Sequence, residues 1–330
     1  MEQNYWTQDD CIFFEPSFNE PLDDYVVIIK NYKKLIFADE SNSPSTNNKS
    51  SSNVPGEFFL GYMSAFSQPL PNNFSQLSLL EEIIFGFSFN QPLSNSLDQL
   101  INLKKIIFGF RFNQPLANSL FKLTNLEELS FGCAFSKPLS NSLEKLSSLE
   151  KLSFSLQFNQ PLFDSLNKLI SLKVLLFGYE FNQPLFDSLD ELTNLKELTF
   201  GDKFSQSLSN SLGKLTLLEK LTLGLEFNQD IVLSPSIKIL TLNSNCSNLI
   251  DSLPNSIEQI NLGYKFNLPM DNLPNSIKKI SFSNTSFYSK SLNNLPKSLE
   301  QLELSKNYNI KIKNIPPNCK ILIKNDIDLN

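Results

Sequence analysis

Residues 89–111 read FNQPLSNSLDQLINLKKIIFGFR, and Phe112 begins the phrase again with FNQPLANSL. Phe89 and Phe112 belong to a run of eight phenylalanines spaced 23 residues apart: Phe66, Phe89, Phe112, Phe135, Phe158, Phe181, Phe204 and Phe227. The full FNQPL motif stands at Phe89, Phe112, Phe158 and Phe181. A register held over that many copies is an internal repeat. Each copy is one small structural unit that cannot bury its apolar side alone and gains a core by stacking on its neighbours.

One unit shows what is stacked. In Leu126–Phe135, LEELSFGCAF, the residues Leu126, Leu129 and Phe131 fit LxxLxL. Leu129 and Phe131 are two apart, the strand period, so both point inward and Ser130 points outward. Gly132 is expected to let the backbone turn away from the strand. Phe135 then re-enters the core. The residue after each of these phenylalanines is polar (Asn90, Asn113, Ser136, Asn159, Asn182, Ser205, Asn228), which predicts side chains that satisfy turn amides copy on copy. Leu97, Leu100 and Leu103, spaced by three, predict a short helical or 3₁₀ return segment. Asn95-Ser96 and Asp187-Ser188 are its expected N-caps. The period and the LxxLxL pattern specify an α/β repeat fold, a curved leucine-rich-repeat solenoid. Its parallel β-sheet is expected on the concave face, with short helical, 3₁₀ or extended segments on the convex face.

The array divides into three stretches of one continuous solenoid. Residues 1–57 hold a degenerate first repeat, opened by Phe18-Asn19-Glu20-Pro21-Leu22 and closed near Phe37, with a polar, flexible insertion at 41–56. Residues 58–230 hold the regular 23-residue repeats. In 231–330 the period shortens, with Cys246, Phe266, Phe287 and Tyr308 expected in the phenylalanine slot. There LPNSI at Leu253–Ile257 and Leu273–Ile277 replaces the longer leucine run, and Pro254, Pro274 and Pro296 replace the helical turn. The last residues, ILIKNDIDLN, are expected to form a closing strand and polar cap.

Composition narrows the function. The chain of 330 residues carries a net charge of −6, whereas nucleic-acid binders show a basic stripe. It contains no histidine, which removes Ser-His-Asp and Cys-His dyads and His-ligated zinc. Cys11, Cys133, Cys246 and Cys319 are scattered, without a CxxC pair, and are expected to be free thiols. No phosphate-cradling GxxxxGK[ST] or GxGxxG occurs. These features predict a non-enzyme without cofactor or metal. The opening residues show no secretory signal and no apolar run approaches a membrane span, so an intracellular, cytoplasmic protein without membrane association is expected.

Two columns on the outward side carry information. Glu82, Lys105, Glu128, Lys151, Val174, Glu197 and Lys220 share one position, and their alternating charge predicts pairing along the stack. The outward strand position is polar at Ser130 but bulky at Ile84, Ile107 and Leu176. Two residues beyond each inward strand-end residue come Phe87, Phe110, Cys133, Leu156, Tyr179, Asp202 and Leu225. Ile84, Phe87, Ile107, Phe110, Leu176 and Tyr179 are therefore expected to form an exposed apolar patch that binds a protein partner.

The FNQPL openings, the LxxLxFG strands and the LPNSI segments together resemble FNIP repeats, a divergent leucine-rich-repeat type abundant in social amoebae and giant viruses of amoebae. The resemblance covers about residues 58–325, with a weaker echo at 18–40. It implies an interaction module whose repeat residues are structural, in host cytoplasm if viral. Some members carry an F-box, which residues 1–57 are too short and polar to hold. The function expected is a protein–protein interaction scaffold. The alternatives are a substrate-recognition adaptor for ubiquitin ligation without its own F-box and a passive structural or virion component.

Overall fold

The computed structural model describes residues 4–37, 64–208 and 211–324. The expected insertion at 41–56 and the end of the expected closing cap lie outside them. The chain comprises two compact units, 1–178 and 179–330.

The first unit is a ladder of short strands: β1 Tyr5–Gln8, β2 Cys11–Phe14, β3 Lys34–Phe37, β4 Glu82–Ile84, β5 Lys105–Ile107, β6 Glu128–Ser130, β7 Lys151–Ser153 and β8 Val174–Leu176. Strands β1 and β2 form an antiparallel hairpin. From β2 to β8 each strand pairs in parallel with the next in chain order. One helical turn, α1 Val26–Ile29, lies between β2 and β3 and buries Val26 and Ile29. The second unit repeats the plan with β9 Glu197–Thr199, β10 Lys220–Leu223, β11 Ile239–Leu242, β12 Gln259–Leu262, β13 Lys279–Phe282, β14 Gln301–Ser305 and β15 Lys320–Lys324, all parallel. A second helical turn, α2 Ser247–Ile250, follows β11. Each unit is a parallel-strand solenoid.

The registers match equivalent repeat positions, for example Glu82↔Lys105↔Glu128 and Ile83↔Ile106↔Leu129. Identical side chains therefore stack. Phe66, Phe89, Phe112 and Phe135 are fully buried, their ring centroids 5.9–6.1 Å apart and nearly parallel. A second column, Phe85, Phe108, Phe131 and Phe154, runs beside them at 5.4–6.2 Å, and Phe108 meets Phe112 at 4.0 Å. Offset stacking of this kind adds about 0.5–1.5 kcal/mol per pair beyond the area buried. Phe37 stacks on Phe66 at 4.1 Å as Phe85 does on Phe89 at 4.2 Å, so the degenerate first repeat closes its core with the same contact.

The glycines that follow β5 and β6, Gly109 and Gly132, have a different reason from the one expected. A Cβ on Gly109 would lie 1.8 Å from the Gly86 carbonyl oxygen, and one on Gly132 would lie 2.1 Å from that of Gly109. Close approach of neighbouring backbones, rather than freedom to turn, fixes glycine there.

The return segment is also not a continuous helix. Ser96 N–H donates to the Leu93 carbonyl, Leu100 to Leu97 and Leu103 to Leu100, each at 3.0 Å, giving a chain of separate three-residue turns. Their spacing by three still directs Leu97, Leu100 and Leu103 into the core. The backbone enters this segment through a left-handed residue, Ser94, Ala117, Ser140 and Phe163 in the first unit, with φ of 45–48°. The expected N-cap serine bonds across repeats instead. Ser165, equivalent to Ser96, donates to the Ser140 carbonyl of the preceding repeat at 3.0 Å. In the short repeats a single turn closed on a proline carbonyl does the work of the whole series: Ile257 to Pro254, Ile277 to Pro274 and Leu299 to Pro296.

Phe287 is not in the aromatic slot. It is 72% exposed, and Tyr288 takes the core position, stacked between Phe266 and Tyr308 at 6.1 and 6.0 Å. The Tyr288 hydroxyl donates to the Leu268 carbonyl, which lets a tyrosine serve in a place otherwise held by phenylalanine.

Candidate functional site

The outward face of the first unit's sheet carries an apolar row that crosses the strands. Trp6 lies opposite Phe13, then Ile36, Ile84 and Ile107 follow in register. Trp6 and Phe13 stack at 5.1 Å with an angle of 5° between their planes, and both pack against Ile36, Ile84 and Ile107. The isoleucines were expected to be exposed, and they are not. Ile84 is 6% exposed, Ile107 2% and Leu176, further along the same face, 8%. Parallel neighbours of this bulk shield one another, and the hairpin's aromatics close the Ile36 end of the row. The hairpin has no counterpart in the repeat, so nothing in the 23-residue period announces it.

Beside this row stands the column that follows the inward phenylalanines. Phe87 and Phe110 are partly buried and stack at 4.6 Å, 11° from parallel. Backbone bonds hold them at the repeat spacing: Arg111 N–H donates to the Phe87 carbonyl, and Ala134 N–H to the Phe110 carbonyl, both at 2.9 Å. The column continues to Cys133 and Leu156, both partly buried. Burial pushes the Cys133 thiol up, away from the reactive thiolate. Tyr179 belongs to the second unit, where it is 41% exposed with the Lys203 ammonium 5.8 Å from its ring centre. The structure therefore joins Phe87 to Phe110 and places Ile84 and Ile107 in the covered row alongside.

Sequence reading passed over one residue next to this column. Arg111 is the only arginine among 28 basic residues. It is exposed, and its guanidinium carbon stands 5.3 Å from the centre of the Phe87 ring, within cation–π range. A singular residue type beside an aromatic pair was the available signal.

The remaining charges of this face are spent on each other. Lys34 and Lys105 reach Glu82 at 3.3 and 3.6 Å, and Lys105 and Lys151 reach Glu128 at 3.4 and 3.1 Å. A second column pairs Lys33 and Lys104 with Glu81 at 3.2 and 2.8 Å, and Lys173 with Glu150 at 2.6 Å. In the second unit the outward row is polar: Thr222, Thr241, Asn261, Ser281 and Glu303 in register. Asn261 donates to Thr241 at 3.0 Å. Burial works against the Glu303 carboxylate, but Lys279, Ser281 and Lys324 hold it down to about 2. Among the described residues no group of His, Cys, Asp or Glu is arranged to hold a metal ion, and no helix is long and apolar enough to cross a membrane.

The FNIP Repeat family matches residues 227–265 and 247–285. This chain carries FNIP repeats over residues 227–285 within a leucine-rich-repeat solenoid. No curated protein matches it in sequence. Solved structures share its fold. CroV588, a circular leucine-rich-repeat protein of a giant virus, is 22% identical over 97% of this chain and 60% of its own, with a TM-score of 0.50. Toll in the Toll–Spatzle complex of Drosophila is 16% identical over 96% of this chain and 43% of its own, at 0.63. TLR13 in complex with ssRNA13 is 19% identical over 93% of this chain and 44% of its own, at 0.60. The chain thus spans under two thirds of each of these structures, and at such identities the likeness is one of fold.

Proposed function

We propose that this FNIP-repeat protein is a non-catalytic scaffold that binds a protein partner on the outward face and rim of its first unit. The observation that carries the reading is the Phe87–Phe110 pair: two stacked, partly exposed aromatic rings on a face whose lysines and glutamates already satisfy one another. Interface anchors have this character, apolar and rigid within a polar surround. Ile84 and Ile107 lie buried in the neighbouring row. Leu176 is buried further along the face, and Tyr179 is a separate aromatic anchor on the second unit. Toll in complex with Spatzle gives a fold-level analogy for a protein ligand. Neutralised charge columns and a net charge of −6 favour protein over nucleic acid.

The test is affinity purification of the full chain from cells, as wild type and as Phe110→Asp, with thermal unfolding to confirm that both are folded. A discrete set of partners recovered by the wild type and lost by the variant is the expected result. Equal recovery by both removes Phe110 from the interface.

A further inference from the structure

We infer that Arg111 reads a carboxylate on the partner, so that the Phe87–Phe110 rim takes a peptide segment with Asp or Glu beside an aromatic or large aliphatic anchor. This rests on the protein-binding reading of the same rim and narrows it.

The argument begins with what Arg111 does not do. Lysines along the sheet's outward face of this unit, Lys34, Lys104, Lys105 and Lys151, meet glutamates in neighbouring repeats. Arg111 forms no ion pair among the described residues. The equivalent positions of its own unit are Ser88, Ala134 and Gln157, so its column offers it no acid. Its one described side-chain contact is the face of Phe87. That contact places the guanidinium over the ring while the side chain stays exposed, and no acid within the described residues pairs with it. A guanidinium resting over a ring has lost part of its freedom already, so less order remains to be imposed when a carboxylate docks bidentately.

The choice of arginine carries the point further. Elsewhere the chain uses lysine for every surface cation. A point charge is enough for a ladder of glutamates along the stack, and arginine's planar fork is enriched where a partner is bound. An aromatic pair and a single cation also bear on the class of partner. A nucleic-acid strand is held by several phosphate contacts along its backbone. Here one free guanidinium stands among paired lysines, which fits one carboxylate next to one apolar side chain.

A library of random linear peptides displayed on phage, selected against the full chain, tests this. Enriched sequences are expected to place Asp or Glu within a few residues of Phe, Tyr, Trp, Leu or Ile. A synthetic peptide of the consensus should bind Arg111→Gln about tenfold more weakly, as expected for loss of a charged hydrogen bond. Arg111→Lys should recover only part of the loss, and added salt should weaken the wild type more than Arg111→Gln. Arg111 is exposed, and thermal unfolding checks that the variants keep their fold. Apolar consensus peptides without an acid, or equal binding to wild type and Arg111→Gln, overturn the carboxylate inference and leave the aromatic docking site standing. Peptides that bind Phe87→Ala and Phe110→Ala as well as wild type overturn both. Absence of any enriched sequence, or tighter binding of single-stranded RNA than of any selected peptide, also overturns the inference.

Discussion

The two units have the same interior plan and different outward rows. In the first, the row that crosses the sheet opens apolar with Trp6, Phe13, Ile36, Ile84 and Ile107 and then continues through Ser130, Ser153 and Leu176. In the second, the row at the equivalent strand position is Thr222, Thr241, Asn261, Ser281 and Glu303, joined by side-chain hydrogen bonds. Inward positions are constrained by the neighbours above and below, and a stacked repeat tolerates little change there. Outward positions meet solvent, and their chemistry is free to differ from one stretch to the next. Where an outward row departs from polar residues, something other than the stack has selected it. In the first unit part of that departure serves the hairpin, and beside the row Phe87 and Phe110 remain partly exposed.

The interior offers the largest effect by which to break the idea of a shared plan. Phe112 is fully buried between Phe89 and Phe135, whereas the second unit's short repeat puts Cys246 in its place four residues after the strand. Phe112→Ala removes a ring from a continuous stack and is expected to cost about 4 kcal/mol. Cys246→Ala removes one sulfur and is expected to cost about 1 kcal/mol. Urea unfolding of both variants measures the difference. Equal losses would mean that the aromatic column does not bear the first unit's stability.

Legibility in the sequence follows the same division. Phe66, Phe89, Phe112 and Phe135 were readable because the 23-residue period repeats them and stacking demands like beside like. Phe287 was misread because Tyr288 stands next to it and the short repeats vary in length, so spacing alone does not choose between adjacent rings. The β1–β2 hairpin has no internal copy, which left Trp6 and Phe13 unread. The burial of Ile84 and Ile107 was misjudged, because bulky side chains in register on neighbouring parallel strands shield one another. The alternating charges at Glu82, Lys105, Glu128 and Lys151 were legible, since opposite charges in register need no knowledge of the rest of the fold. Arg111 was overlooked because a column reading looks for what recurs, and its significance lies in occurring once.

The outward rows differ in acid dependence as well. Glu303 sits in the polar row of the second unit, and its ordinary value in an unfolded chain is about 4.3. Lys279, Ser281 and Lys324 overcome the effect of burial and hold it near 2. The folded value is the lower one, so the ionised carboxylate stabilises the fold. That contribution is complete above about pH 4.3 and is lost as pH falls toward 2. With allowance for partial exposure it is worth about 2 kcal/mol. Glu303→Gln is expected to lower stability by that amount at neutral pH and to flatten the stability profile between about pH 4 and 2. Unfolding measured across that range checks it. Parallel profiles for wild type and variant would show that Glu303 gains nothing from its three neighbours.

The smallest effect sharpens the comparison at the turns, where both units use one device with different completeness. In the first unit Asn113 accepts from the Ser136 backbone amide through Oδ1 at 3.0 Å, as Asn90 does from Asn113 at 2.9 Å. In the second unit Asn267 accepts from the Ser289 amide at 2.9 Å, and its Nδ2 also meets the Ser289 hydroxyl at 3.1 Å. Asn113→Ala leaves the partly buried Ser136 amide without its acceptor and is expected to cost about 1 kcal/mol. Asn113→Ser should keep part of the bond, because Ser67 already serves as acceptor for the Asn90 amide at a longer 3.3 Å. Asn267→Ala removes two interactions and should cost somewhat more than Asn113→Ala. Amide hydrogen exchange reads the effect at one site: the Ser136 amide should exchange several-fold faster in Asn113→Ala and at an intermediate rate in Asn113→Ser. Unchanged exchange at Ser136 would mean that water satisfies this amide as well as the asparagine does. The column of asparagines would then follow from the repeat's copying and not from any need of the turn.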